Sequence, residues 1–302
     1  YSGMLGMHGT KTSNLGVSEC DLLIAIGTRF SDRVLGNPKK FASQAKILQF
    51  DVDPAEINKN IRVTESVVGD VKEVLKRMNQ KLEQLDHNSW KEHVLAYAKT
   101  FPLTYNKEGL SGPYIIEKIY EMVEGNAIMV TEVGQHQMWA AQYYKYKKPA
   151  TFISSGGLGT MGFGLPAAIG AQLGNPDKRV VCIAGDGGVQ MTIQELATAV
   201  QLELPITLVI INNGFLGMVR QMQQFFHDKN YSGTCLRKRK SCEGKCNFDG
   251  SNIPECCPPY TPDFIRLAES YGAYGIRVTD EDKLSDAFEE AKKNAPCIVF
   301  ID

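Results

Sequence analysis

Short apolar runs rich in Ile and Val alternate with stretches whose apolar residues recur at helical spacing, and the alternation runs through most of the 302-residue chain. Uninterrupted apolar runs bounded by polar turns are how strands read when both faces of a sheet are covered, so the pattern predicts parallel α/β architecture. In the first segment Asp21–Gly27 and Lys46–Asp51 read as strands, and an amphipathic helix is predicted from about Val71 to Leu85. From His87 the chain turns polar and helical without a strand signal, and reads as a connector. The second segment predicts strands at Ala127–Thr131, Arg179–Ala184, Ile206–Ile211 and Ala295–Ile301. Helices are predicted at Gly112–Val123, Gly164–Gln172, Thr192–Leu202, Pro262–Tyr271 and Asp282–Lys292. Thr192 and Glu195 have capping-box spacing, with Ile193, Leu196, Ala197 and Val200 at helical intervals behind them. The expectation is an α/β chain of two Rossmann-like parallel-sheet domains. Residues 1–86 would be the later part of one, 87–111 a linker and 112–302 the other.

The bulk numbers narrow the partners. With 33 basic and 34 acidic residues the formal net charge is -1, which gives no long-range attraction for nucleic acid or an anionic membrane. No apolar run approaches the ~18 residues of a membrane span. A small-molecule partner is expected. The chain opens on Tyr1 inside a glycine-rich motif and stops on the strand-like Cys297–Asp302, which reads as a piece of a longer protein.

The sharpest motif is Gly185-Asp186-Gly187, followed after 24 residues by Asn212-Asn213. Asp186 ends one predicted strand and Asn213 lies just past another, with a helix between them, so the two form a right-handed βαβ unit. Open parallel sheets bind ligands at the carboxyl ends of their strands, so both side chains are expected in one crevice. A carboxylate, an amide oxygen and a main-chain carbonyl are the hard ligands magnesium prefers when it bridges phosphates.

This pattern resembles the thiamine-diphosphate enzymes, and its surroundings resemble acetolactate synthase in particular. The stretch Gly156-Gly157-Leu158-Gly159-Thr160-Met161-Gly162-Phe163-Gly164 is similar to the family's segment around the aminopyrimidine. Gly185–Glu195 and Asn212–Val219 are similar to its cofactor loops. By that resemblance Asp186, Asn213 and the carbonyl of Phe215 would bind Mg2+. Gln135 and His136 would touch the diphosphate, with Gly185, Gly187, Gly188 and Gly217 close to the cofactor. Gly159 and Met161 would hold the aminopyrimidine, and Met218 would line the same pocket.

The first segment carries a second layout. Gly3–Gly9 is glycine-rich, Gly27–Arg33 follows one predicted strand and Asp51 ends the next. A glycine turn after one strand with an acid after the next suits a nucleotide. A plain structural α/β domain with surface arginines fits the same residues. The family resemblance implies a central domain that holds FAD as a non-redox cofactor. Leu5, Gly6, Met7, His8, Gly27, Thr28, Arg29, Arg33 and Val34 would contact it, with Asp51 and Asp70 near the adenosine end.

The resemblance also implies decarboxylation of pyruvate and condensation of the two-carbon unit with a second 2-oxo acid, in branched-chain amino acid biosynthesis. The activating glutamate would lie in an N-terminal pyrimidine-binding domain that this chain lacks, so no catalytic residue is assigned and the chain alone is expected to be inactive. A cytoplasmic homodimer or homotetramer is implied, with a possible small regulatory subunit. Where the family has Met-Val-x-Gln-Trp this chain has Met218-Val219-Arg220-Gln221-Met222. The flexible Met222 therefore predicts weaker discrimination between 2-oxo acid acceptors. Another thiamine-diphosphate decarboxylase or carboligase, or a non-catalytic nucleotide-binding module, is the alternative.

Cys20, Cys182 and Cys297 sit in or beside apolar runs and read as buried thiols. Cys235, Cys242, Cys246, Cys256 and Cys257 crowd an insertion over about 233–260, far denser in cysteine than average composition. Metal or iron–sulfur binding, a redox-sensitive disulfide loop and a plain loop with free thiols all fit it.

Overall fold

In the computed structural model, which describes residues 1–237 and 262–302, the strongest apolar runs become the central strands of a parallel sheet. Contacts divide the chain into two units, Tyr1–Thr104 and Tyr105–Asp302.

The first unit runs α1 (Lys11–Glu19), β1 (Leu22–Ile26), α2 (Asp32–Leu35), β2 (Lys46–Asp51), β3 (Glu65–Val68), α3 (Val71–Asn79) and α4 (Asn88–Thr100). Its strands pair in parallel in the order β1-β2-β3. Ala25, Phe30, Leu35, Ala42 and Ile47 form a small core. The predicted helix from Val71 ends at Asn79 rather than at Leu85. The polar stretch read as a connector contains α4, which belongs to the first unit. The His93 ring and the Tyr97 hydroxyl of α4 hydrogen-bond to Glu19 at the end of α1, and Val94 packs over Gly16.

The second unit runs α5 (Gly112–Met122), β4 (Ile128–Thr131), α6 (Gln135–Tyr143), β5 (Phe152–Ser154), α7 (Gly164–Gly174), β6 (Val180–Gly185), α8 (Leu196–Gln201), β7 (Ile206–Ile211), α9 (Gly217–Phe226), α10 (Phe264–Tyr271), β8 (Tyr274–Val278), α11 (Leu284–Lys293) and β9 (Cys297–Ile301). Among the described residues the sheet order is β5-β4-β6-β7-β9-β8, all parallel. Successive strand residues point to opposite faces. Val180, Cys182 and Ala184 of β6 therefore join one core with Ile206, Leu208, Ile298 and Phe300. Val181 and Ile183 join the other with Val209, Val299 and Phe288. Helices cover both faces, the doubly wound arrangement that the apolar runs predict.

The capping box at Thr192 does not form. Residues Ile193–Glu195 make a 3-10 turn and α8 starts only at Leu196. The Thr192 hydroxyl instead donates to the carbonyl of Gly162, at 2.9 Å.

Candidate cofactor site

The chain order around β4 sets the place of the site. From β4 the connection runs to β5 on one side, and the next strand, β6, returns to the other side of β4. Ligands bind at the carboxyl ends of strands where a sheet reverses direction in this way. A cavity of about 220 Å³ opens there. Its walls are Val133–His136 and Trp139 after β4, Gly185–Gly188 after β6, and Ile211, Asn213 and Phe215–Val219 after β7, together with Gly159 and Met161.

Asp186 directly follows β6, and β6 and β7 are neighbours with Gly185 in register with Ile211. Asp186 and Asn213 therefore stand side by side. The Asp186 carboxylate is 1% exposed, and its Oδ2 accepts the Gly214 N–H at 2.9 Å. Burial pushes its pKa up to about 6, against main-chain N–H donors led by Gly214 that pull it down. Asn213 Oδ1 accepts the Phe215 N–H at 2.8 Å, which turns the main chain so that Asn213 and Phe215 line the same cavity. The turn depends on Gly214, at φ +71°, where a Cβ would also sit 2.3 Å from Nε of Arg237. This loop is backed by the segment after α9. Leu216 N–H donates to Thr234 and Leu236 N–H to Gly214, bridging Phe215 and Cys235.

Gln135 and His136 open α6. Gln135 Nε2 donates to Gln221 of α9 at 3.1 Å. A side chain at Gly217 would collide with both Gln135 Oε1 and Asn213 Nδ2, so these three residues converge. His136 is 6% exposed, its ring hydrogen-bonded to the Glu132 main chain, and its Nε2 is buried without a protein partner. Burial lowers its pKa to about 4, leaving a neutral imidazole at the cavity wall.

The residues that the sequence singled out around thiamine diphosphate, from Gln135 to Met218, all line this one cavity. Met222 does not. It lies one helical turn beyond Met218 on α9. Trp139, Gln221 and Glu132 were not singled out, since nothing in their local spacing marks them.

The family description "Thiamine pyrophosphate enzyme, C-terminal TPP binding domain" matches residues 132–302, and "Thiamine pyrophosphate enzyme, central domain" matches residues 1–78. The chain belongs to the thiamine pyrophosphate enzymes. Within this family it is 40% identical to the acetolactate synthase isozyme 2 large subunit of Escherichia coli (strain K12), over 96% of this chain and 48% of that one. It is 41% identical to an acetolactate synthase of Mycobacterium bovis, over 99% of this chain and 47% of that one. It is 42% identical to the acetolactate synthase large subunit of Cyanidium caldarium, over 96% and 47%. The chain thus spans about half the length of these relatives.

Elsewhere in this thiamine pyrophosphate enzyme the first unit brings part of its predicted set together. Met7 N–H donates to the Arg33 carbonyl at 2.7 Å, and a Cβ on Gly6 would strike Arg33 and Val34, so Leu5–His8 lies against that loop. Burial, then the nearby Arg33 charge, lower the His8 pKa. Gly27–Arg29 follow β1 and Asp51 ends β2. Asp70 is used as the N-cap of α3, accepting from Lys72 and Glu73. It borders a separate groove with Val67, Arg77 and Lys81.

Cys20, Cys182 and Cys297 are buried free thiols, and burial raises the Cys297 pKa to about 12. Cys235 is half-buried, while Cys242, Cys246, Cys256 and Cys257 lie outside the described residues, as do the readings that depend on them. Among the described residues no three His, Cys, Asp or Glu side chains form a metal cluster, and no helix is long and apolar enough to cross a membrane.

Proposed function

We propose that this chain is the cofactor-holding part of an acetolactate synthase catalytic subunit. It would act on pyruvate and a second 2-oxo acid together with an N-terminal pyrimidine-binding region. The observation that carries the reading is the convergence of Asp186, Asn213, Gln135 and His136 on one cavity at the reversal point of the sheet.

The residues present fit Mg2+ and a diphosphate. The buried Asp186 carboxylate takes part in no ion pair among the described residues and has its pKa raised by burial, which a cation beside it would reverse. With the Asn213 amide oxygen and the Phe215 carbonyl it makes an all-oxygen donor set suited to Mg2+. The orphaned Nε2 of His136 is a hydrogen-bonding group in need of a ligand atom. Gln135 stands beside it for the diphosphate. When bound, thiamine diphosphate supplies a ylide carbon that adds to a 2-oxo acid and accepts the electrons left by departing carbon dioxide. The chain's own work is to hold the diphosphate end through Asp186 and Asn213 and to bound the pyrimidine end with Gly159 and Met161. Val133, Trp139, Leu216 and Val219 would keep water from the reacting centre.

In the same reading FAD would rest on the loops of the first unit. The protein would be a cytoplasmic homo-oligomer with a small regulatory subunit, in keeping with the "large subunit" names of relatives. Met222, one turn outside the cavity wall, would face the second 2-oxo acid. The test is product analysis from pyruvate with the full-length protein. Acetolactate is expected; acetaldehyde or acetyl phosphate would replace the reading with another carboligase or oxidase, and no turnover would favour a binding module.

A further inference from the structure

Glu132 has no role in the reading above, yet it is as buried as Asp186, at 1% exposure. It follows β4 and its N–H donates to Ile183 of β6 at 2.8 Å, so its main chain is locked into the sheet. Its carboxylate takes part in no ion pair among the described residues. Main-chain donors surround it instead. Oε2 accepts Gly162 N–H at 2.9 Å and Val133 N–H at 3.3 Å, and Oε1 accepts Gly164 N–H at 2.5 Å. Gly164 is the first residue of α7, where the positive end of the helix dipole favours an anion. A buried carboxylate without a cation persists only where such donors converge.

The donors belong to the turn that carries Gly159 and Met161 to the cavity. Gly162 is held from both sides, its N–H by Glu132 and its carbonyl by the Thr192 hydroxyl. There is no slack in this packing. A Cβ on Gly164 would lie 2.8 Å from Glu132 Cγ, and one on Gly188 would lie 2.9 Å from Oε2. The carboxylate thus fills the space between the turn at the pyrimidine end and the turn at the diphosphate end.

We infer that Glu132 is a positioning residue, which with Thr192 fixes the Gly159–Gly164 turn and so sets Met161 against the aminopyrimidine ring of the cofactor; the inference rests on the thiamine-diphosphate reading of the cavity. Glu132 acts through Gly162 and Gly164, with no contact to substrate. At the diphosphate end the Glu132 carboxylate packs against Gly188 but accepts its hydrogen bonds from Gly162 and Gly164, while Asp186 is oriented by the Gly214 N–H.

The experiment compares wild type with Glu132→Gln in the full-length protein, by titrating thiamine diphosphate and, separately, inorganic pyrophosphate, each with saturating Mg2+. Trp139, which lines the cavity, gives a fluorescence readout beside calorimetry. Gln keeps the length of the side chain and replaces one acceptor with an NH2 aimed at an N–H donor. Thiamine diphosphate binding should weaken about tenfold or more, the loss expected for a charged hydrogen bond, while pyrophosphate binding stays within about twofold. Equal weakening of both probes, as a merely structural role would give, overturns the inference, and so does unchanged thiamine diphosphate binding. Thr192→Val provides the same test if Glu132→Gln does not fold, with a loss of about threefold to tenfold for a neutral hydrogen bond, again confined to thiamine diphosphate. Wild-type protein that binds neither probe overturns the cofactor reading itself, and with it the inference.

Discussion

In the second unit, alternate residues of β6, β7 and β9 disappear into two cores, one on each face of the sheet. In the first unit β1 turns Ala25 inward and leaves Leu22, Ile24 and Ile26 at 51%, 44% and 46% exposure. Both sheets are parallel, and both place glycine turns and an acid at the carboxyl ends of their strands. They differ in what stands behind those loops. Asp186 and Asn213 grow from strands that are packed on both sides, and their loops are tied to one another by the Gly214 N–H. Asp51 ends β2 and Asp70 follows β3, and their carboxylates are taken up by a local turn and a helix cap. Similar loop chemistry at strand ends makes a pre-organised site only where the acid is left free of local turns and caps and faces a cavity.

The comparison can be broken most directly at the carboxylates. Asp186→Ala should abolish Mg2+-dependent binding of thiamine diphosphate, whereas Asp51→Ala should leave it unchanged by calorimetry. Loss of binding in both variants would mean that the two sheets do not serve separate sites. Packing gives the next largest effect. Ile183→Ala, in a fully buried strand position, should cost about 2–5 kcal/mol in chemical denaturation. In the 302-residue chain, Ile24→Ala at a 44% exposed position should cost less than about 0.5 kcal/mol. Trp139 in a Trp90→Phe background reports on the second unit alone. Similar costs at the two positions would erase the contrast.

His136 offers a pH test. Its folded pKa of about 4 lies below the free value of 6.5, so the unfolded chain takes up a proton first as pH falls. Its contribution to stability is therefore present above pH 6.5 and lost as pH falls toward 4. Asp186, whose pKa is raised to about 6, works in the opposite sense but is common to wild type and variant. The stability advantage of wild type over His136→Gln should shrink by about 2 kcal/mol between pH 7 and pH 5. A constant advantage would show that the ring is not held neutral. The smallest effect is expected in the 302-residue chain itself, where Ile24→Thr with Ile26→Thr should lower binding of a hydrophobic dye without altering thiamine diphosphate affinity.

Much of the second unit was legible because its strands are apolar on both faces and the residues that line its cavity sit beside strand ends in fixed motifs. Asp186 and Asn213 are examples. Glu132 was not legible, because its partners are the main-chain N–H groups of Gly162 and Gly164, and main-chain groups leave no letter in a sequence. Thr192 misled for a related reason. Its spacing to Glu195 fits a cap, but the nearby Gly162 carbonyl claims the hydroxyl. The short strands β3, β5 and β8 escaped notice. β5 has only three residues, β3 is an exposed edge strand, and β8 is an edge strand whose Gly275 and Arg277 interrupt any apolar run. Nor did α6 stand out, since Gln135 and His136 face the cavity where a plain helix would place apolar residues.

The central claim is that one cavity after β4, β6 and β7, with Asp186 and Asn213 in its wall, holds thiamine diphosphate through a divalent ion. The most direct measurement is a calorimetric titration of thiamine diphosphate into the protein with Mg2+ present, repeated after the metal is removed by chelation. One site that binds with Mg2+ and loses its affinity without it is the predicted result. Binding that is indifferent to the metal, or absent in its presence, would contradict the account.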